Sequence, residues 1–194
     1  MCGAKVINRI RVYPRDVVKA LLRGPVSLLE GTAIISIYSY ENGVLIDKNT
    51  EGKLKIKGIP TLGLSFTDVT PYKGDLNELT QLHQDVYKAI FTREQARKTI
   101  AFLKAINQKN HIHTLTVHCA AGISRSGAVG LFACRYFGLD ENLFRAENPY
   151  IAPNDHVYQL LYVESGMRQK YVDFWSDSVW MNIPIDPEID RMFR

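Results

Sequence analysis

Cysteine is scarce in this chain. Its 194 residues hold three, Cys2, Cys119 and Cys134, too few and too scattered for a disulfide framework. That excludes a small stapled secreted domain and points to a reducing compartment, hence a cytoplasmic protein. Long hydrophobic runs are missing as well. No stretch reaches the length of a membrane span, and the first residues lack a charged region followed by an apolar stretch and a cleavage site. An intracellular protein with no membrane partner is therefore expected. Charge of one sign is in short supply too: 24 Lys and Arg against 20 Asp and Glu leave a formal +4. This suits an anionic ligand but falls short of the dense basic face of a nucleic-acid binder, so no nucleic-acid partner is expected. What the chain does have is 46% hydrophobic content, enough for one globular domain over residues 1–194 with a sizeable core.

The chain is organised around Val117-His118-Cys119-Ala120-Ala121-Gly122-Ile123-Ser124-Arg125-Ser126-Gly127. Thr114 to Val117 is β-branched and apolar, and Ala128 to Cys134 is apolar with good helix formers, so the stretch joins a buried strand to a helix. Small residues at Ala120, Ala121 and Gly122 let the backbone curl so that successive N–H groups point at one centre. The following helix adds the positive end of its dipole. Arg125 closes this anion cradle with a planar fork suited to two phosphate oxygens. Cys119 lies at its floor, in surroundings of the kind that lower a cysteine pKa from about 8.5 to roughly 3.5–7.5. A thiolate under a phosphate is a nucleophile aimed at phosphorus.

These residues resemble the signature of the cysteine-dependent protein tyrosine phosphatases: His118-Cys119, then Ala120 to Ser124, then Arg125 and Ser126. Cys-Ala-Ala-Gly-Ile-Ser-Arg-Ser is most similar to the dual-specificity branch and its small bacterial and phage relatives. The resemblance covers about residues 60–165. It implies an α/β fold with a single central mixed, mostly parallel sheet flanked by helices, and hydrolysis of phosphotyrosine, with phosphoserine or phosphothreonine as further substrates. The implied partner is a phosphorylated protein or another phosphate monoester. In this scheme Ala120, Ala121, Gly122, Ile123, Ser124 and Arg125 bind phosphate, while Cys119 forms a cysteinyl-phosphate. Ser126 donates its hydroxyl to the departing thiolate, and His118 orients the loop from behind. No metal or organic cofactor is implied.

The general acid has three candidates. Leu62 to Phe66 reads as a buried strand that stops at Thr67-Asp68, and groups at strand C-terminal ends converge on the ligand crevice. Asp68 also matches the position where the dual-specificity phosphatases carry their acid. Its separation from Cys119, 51 residues, is longer than the resemblance implies, so an insertion is expected between Thr70 and Phe91. Within that stretch Asp75 is a loop candidate. Asp85 stands at the implied interval, but Leu82, Val86 and Ile90 recur around it at helical spacing, which makes it a helix-surface residue.

Elsewhere, Val6 to Tyr13 reads as a strand with Arg9 and Arg11 on one solvated face. Pro14 opens a helix carrying Val17, Val18, Leu21 and Leu22. Thr32 to Tyr38 is the next strand, Asn42-Gly43 a turn, and residues 47–58 a lysine-rich solvated connection. Thr92 and Gln95 form a capping box for a helix ending near Asn107. His111 and His113 lack acidic or cysteine partners at ligand spacing and read as loop residues. A helix from about Ser126 to Phe137 ends at Gly138, a left-handed cap, with Cys134 a small buried hydrophobe or a resolving thiol. Asn154 or Asp155 caps the next helix, and the Pro153-Asn154 pair extends the resemblance, with Asn154 supporting the site from behind. The aromatics of 167–194 are expected to pack back over the domain or against a second subunit. Tyr40, Tyr72 and Tyr87 are candidates for the aromatic lining of a phosphotyrosine slot. The rival classes are a phosphate-binding pseudophosphatase, which an unproven acid leaves open, and the rhodaneses or arsenate reductases. Rhodaneses lack this Arg-Ser ending, and the reductases need partner cysteines, of which Cys134 is the one nearby.

Overall fold

The computed structural model describes residues 7–25, 29–41, 44–45, 58–69 and 89–167. In chain order the elements are β1 (Arg9–Pro14), α1 (Arg15–Arg23), β2 (Thr32–Tyr38), β3 (Tyr40–Glu41), β4 (Val44–Leu45) and β5 (Thr61–Ser65). They continue with α2 (Arg93–Ile106), β6 (Thr114–Cys119), α3 (Arg125–Tyr136), α4 (Glu141–Glu147) and α5 (Asp155–Glu164). The fold is α/β. Its main sheet has the order β1-β6-β2-β5, and every neighbouring pair is parallel. Where a mixed, mostly parallel sheet was expected, the antiparallel pairing among the described residues is confined to the separate β3–β4 pair. Parallel neighbours require long crossovers, and the chain supplies one between each successive pair of main-sheet strands.

This topology brings all four strand C-termini to one edge. The last strand in the chain, β6, lies between β1 and β2, with Pro14 opposite Cys119 and Ser36 opposite His118. All seven residues of β2 are buried, as are five of six in β6, consistent with near-continuous apolar strands covered on both faces. Gly130 lets α3 lie close on β1, since a Cβ there would sit 2.7 Å from Val12 Cγ2 and 3.3 Å from Phe144 Cζ. Strand β1 is an edge of the main sheet, and the buried Asn148 plugs it. Its Oδ1 accepts from Val12 N–H at 2.7 Å, while its amide donates to Ile10 O at 3.4 Å and to Phe144 O at 2.7 Å. Such a plug removes free edge groups from solvent.

Thr92 caps α2 with both bonds of the capping box. Gly138, at φ 61°, follows the end of α3. Asn154 caps α5 by accepting from Val157 N–H at 3.1 Å. Pro14 ends β1 and, as its N-cap residue, opens α1. One expectation needs correction. Of the four apolar residues expected on the core face of α1, Val18 is buried, Leu21 and Leu22 are half-buried and Val17 is exposed, because so short a helix turns a narrow stripe to the sheet. His111 and His113 are exposed. Val6, the Asn42-Gly43 turn, residues 47–57, Asp75, Asp85, Tyr72, Tyr87, Cys2 and residues 168–194 lie outside the described residues, as does the side chain of Tyr40.

Candidate active site

Strand β6 ends on Cys119 and α3 begins at Arg125, so residues 120–124 form the connecting loop at the C-terminal edge of the sheet. Its carbonyls are tied outward on both flanks. Ala120 O accepts from Arg15 N–H, Ile123 O from Ala152 N–H and Ser124 O from Asn154 N–H, each at 3.2 Å. On the inner side of the loop, Gly122 N–H donates to Cys119 Sγ at 3.3 Å. Gly122 has φ +74°, and a Cβ there would lie 2.4 Å from Pro14 N and 2.5 Å from Tyr13 C. Backbone on one side and a left-handed conformation on the other leave room for glycine alone.

Cys119 is 2% exposed, and its Sγ lies 3.1 Å from Ser126 Oγ. Burial pushes its thiol pKa up. The Ser126 hydroxyl and N–H, the Gly122 N–H and the Arg125 charge together outweigh burial, and the thiol is held below its ordinary value. These are hydrogen bonds and charge favouring the thiolate over the thiol. Ser126 therefore faces the sulfur and does not act as the cap of α3, whose N-cap residue is Ser124. The Arg125 guanidinium is fixed by the strand ends: its Nη1 donates to Tyr38 O at 3.3 Å and to Phe66 O at 3.0 Å. His118 turns away from the loop into the sheet, 1% exposed, with Nε2 at 2.8 Å from Ser36 Oγ.

Asp68 comes to the same edge just past β5, held by groups from two other segments. Ser124 Oγ donates to its Oδ1 at 2.7 Å and Asn154 Nδ2 donates to the same oxygen at 3.1 Å. Its Oδ2 stands 3.7 Å from Arg125 Nε. Cys119, Arg125, Ser126, Ser124, Asp68 and Asn154 are thus gathered in one site. Asn154 both caps α5 and tethers Asp68. Sequence reasoning missed Ser36 and the Ser124–Asp68 bond. A lone hydroxyl within the apolar run Ala33-Ile34-Ile35-Ser36-Ile37 was the available signal for the first. Cys134, inside α3, is a buried thiol pushed up to about 11 by burial and by the Glu141 charge. Among the described residues, no group of three or more His, Cys, Asp and Glu is placed to hold a metal ion, and no helix is long and apolar enough to cross a membrane.

Fold and loop define a parallel α/β protein with a buried cysteine of lowered pKa at a strand-to-helix joint, and beside it an arginine and a tethered aspartate. No family model and no curated protein matches the chain. Among solved structures it is similar to the dual-specificity phosphatase human DUSP28, at 16% identity, covering 86% of this chain and 97% of that one, TM-score 0.49. It is also similar to DUSP15, at 19% identity, 90% and 97% coverage and TM-score 0.45. A third is Tk-PTP in its active form, at 14% identity, 86% and 99% coverage and TM-score 0.45.

Proposed function

We propose that this chain is a cysteine-dependent phosphatase that hydrolyses phosphate monoesters, phosphotyrosine in a protein foremost, through a cysteinyl-phosphate. The carrying observation is the sulfur itself: Cys119 Sγ receives Gly122 N–H at 3.3 Å and faces Ser126 Oγ at 3.1 Å, at a helix N-terminus beside Arg125. This arrangement stabilises a thiolate and, once phosphate enters, the charge spread over its equatorial oxygens.

Cys119 thiolate attacks phosphorus, forming the S–P bond as the P–O bond to the alcohol breaks. The leaving oxygen takes a proton from the Asp68 carboxyl, which a phenoxide of conjugate-acid pKa about 10 requires for fast departure. Ser124 and Asn154 hold that carboxyl at the rim. Water, giving its proton to the Asp68 carboxylate, then attacks phosphorus. The S–P bond breaks, inorganic phosphate leaves, and the Ser126 hydroxyl receives the returning thiolate. Ala120, Ala121 and Ile123 carry no charge, which supports a singly phosphorylated group over a polyphosphorylated one.

The test is hydrolysis of phenyl phosphate against pH, without added metal, for wild type, Cys119→Ser and Asp68→Asn. The reading expects no turnover in Cys119→Ser. In Asp68→Asn it expects kcat to drop about 10²- to 10⁴-fold. An unaffected Asp68→Asn moves the acid elsewhere, and turnover in Cys119→Ser sinks the mechanism.

A further inference from the structure

Asp68 follows Thr67, and Thr67 is bound twice to a point 22 residues further along the chain. Its N–H donates to Ala89 O at 2.8 Å and its hydroxyl donates to the same oxygen at 3.2 Å. The placement of residues 89–91 therefore sets the backbone from which Asp68 projects. That stretch is packed against the end of β5. Phe91, 1% exposed, lays its ring on Phe66 at a centroid distance of 4.7 Å, and Phe66 O accepts from Arg125 Nη1 at 3.0 Å. A side chain of α5 reaches the same stretch. His156, in the first turn of that helix, has Nε2 at 2.8 Å from Phe91 O. A carbonyl can only accept, so Nε2 carries the hydrogen and donates it. Burial holds the imidazole below its ordinary value, against the opposite pull of the Phe91 carbonyl. The ring is thus neutral near pH 7, with its one N–H spent on that bond.

We infer that His156 is a positioning residue for the general acid: by holding residues 89–91 through the Phe91 carbonyl, it keeps the Asp68 carboxyl within reach of the leaving oxygen. The inference rests on reading Asp68 as the acid of a phosphatase, and adds the residue that sets its reach. Asp68 then depends on one helical turn from two directions. Asn154, the cap of α5, donates to its carboxylate at 3.1 Å, and His156, two residues on, secures its backbone by way of Phe91 and Ala89. The seating of α5 has other supports. Glu164 at its far end lies 3.4 Å from Arg93 Nε and 2.7 Å from Arg97 Nε on α2, and Val157 and Leu161 are buried in the core. Loss of the His156 N–H is therefore a local loosening at the base of the Asp68 segment, and a small misplacement of a reacting group is felt in the rate.

The test separates proton delivery from general damage. kcat/KM is measured for phenyl phosphate, whose leaving group needs a proton, and for dinitrophenyl phosphate, whose leaving group departs without one. His156→Leu has no donor, and His156→Asn is too short to reach Phe91 O. Both are expected to lower the phenyl phosphate value about 3- to 10-fold and to leave the dinitrophenyl phosphate value near wild type. His156→Gln, which keeps an N–H at similar reach, holds the phenyl phosphate value. In an Asp68→Asn background His156→Leu has no further effect. Equal losses for both esters, no loss for either, the same loss in His156→Gln, or an undiminished loss in the Asp68→Asn background overturns the role. Turnover of phenyl phosphate that Asp68→Asn leaves untouched moves the acid elsewhere and removes the role while the phosphatase stands. No turnover of either ester by the wild type overturns the phosphatase reading and the role with it.

Discussion

Cys119 and Cys134 are both shielded from solvent, at 2% and 0% exposure, and they stand at opposite ends of the same loop-and-helix unit. Burial pushes both thiols up. At Cys119 the two N–H groups, the Ser126 hydroxyl and the Arg125 charge reverse that push. At Cys134 the neighbours are a carbonyl, Leu139 O at 3.8 Å from Sγ, and the Glu141 carboxylate, and the thiol goes up to about 11. The difference shows that the strand-to-helix joint is what lowers the thiol. A cysteine further along the chain, inside the apolar helix, is a small hydrophobe with no hydrogen-bond donor aimed at it among the described residues.

The largest expected contrast between the two is in turnover. Cys119→Ser should lower aryl phosphate hydrolysis by about 10⁴-fold or more, while Cys134→Ala, which removes one buried sulfur far from the loop, leaves kcat/KM near wild type. Comparable losses in both variants would make Cys134 part of the reaction, as a thiol-coupled reductase requires.

Next in size is a difference in alkaline stability. Cys134 has a folded value near 11 against 9.0 in an unfolded chain. Between those values the unfolded chain releases its proton while the folded one keeps it, so stability falls as pH rises from about 9 to about 11. The fall amounts to roughly 2–3 kcal/mol. Cys119, whose folded value lies below 9.0, contributes with the opposite sign: stability gained as pH rises through the folded value toward 9.0. Denaturant unfolding across pH 8–11 should therefore show a shallower alkaline decline in Cys134→Ala than in wild type. An identical slope would mean that the buried thiol does not titrate as described.

The smallest effect isolates one donor. Ser126→Ala removes the hydroxyl at 3.1 Å from Cys119 Sγ and should move the pH midpoint of iodoacetamide labelling at Cys119 upward by about one unit. Cys134 labelling should not respond. An unmoved midpoint would assign the lowered thiol to the loop N–H groups and Arg125 alone.

These features were unequally legible in the sequence. Cys119, Arg125, Ser126 and Gly122 are neighbours in the chain, and a strand-to-helix joint fixes their relative placement locally. Asp68 was readable as a strand-end residue because parallel strands converge at one edge. Asn154, 86 residues away, was readable as a helix cap and, through the resemblance, as a support of the site, but its bond to Asp68 was not. The His118–Ser36 contact spans 82 positions and the Val12–Asn148 plug 136. Periodicity says which face a residue occupies, not which strand will lie beside it. Helix α4 is capped by Asp140, whose Oδ1 accepts from Asn142 and Leu143 N–H at 2.8 and 3.2 Å. That signal was present and short-range but went unread. Val17 misled for a different reason: a strongly amphipathic stripe predicts burial wherever a core faces it, and only Val18 of that stripe reaches the core.

The most direct test of the account is to trap the covalent intermediate. Wild-type protein mixed with excess phenyl phosphate is quenched in acid within its first turnovers, digested, and its cysteine peptides are weighed. The account predicts one added phosphoryl group on the peptide that carries Cys119, none on the peptide that carries Cys134, and none anywhere in Cys119→Ser. Steady turnover with no phosphoryl group on Cys119, or with the group on another residue, would contradict the proposal that this thiolate attacks phosphorus.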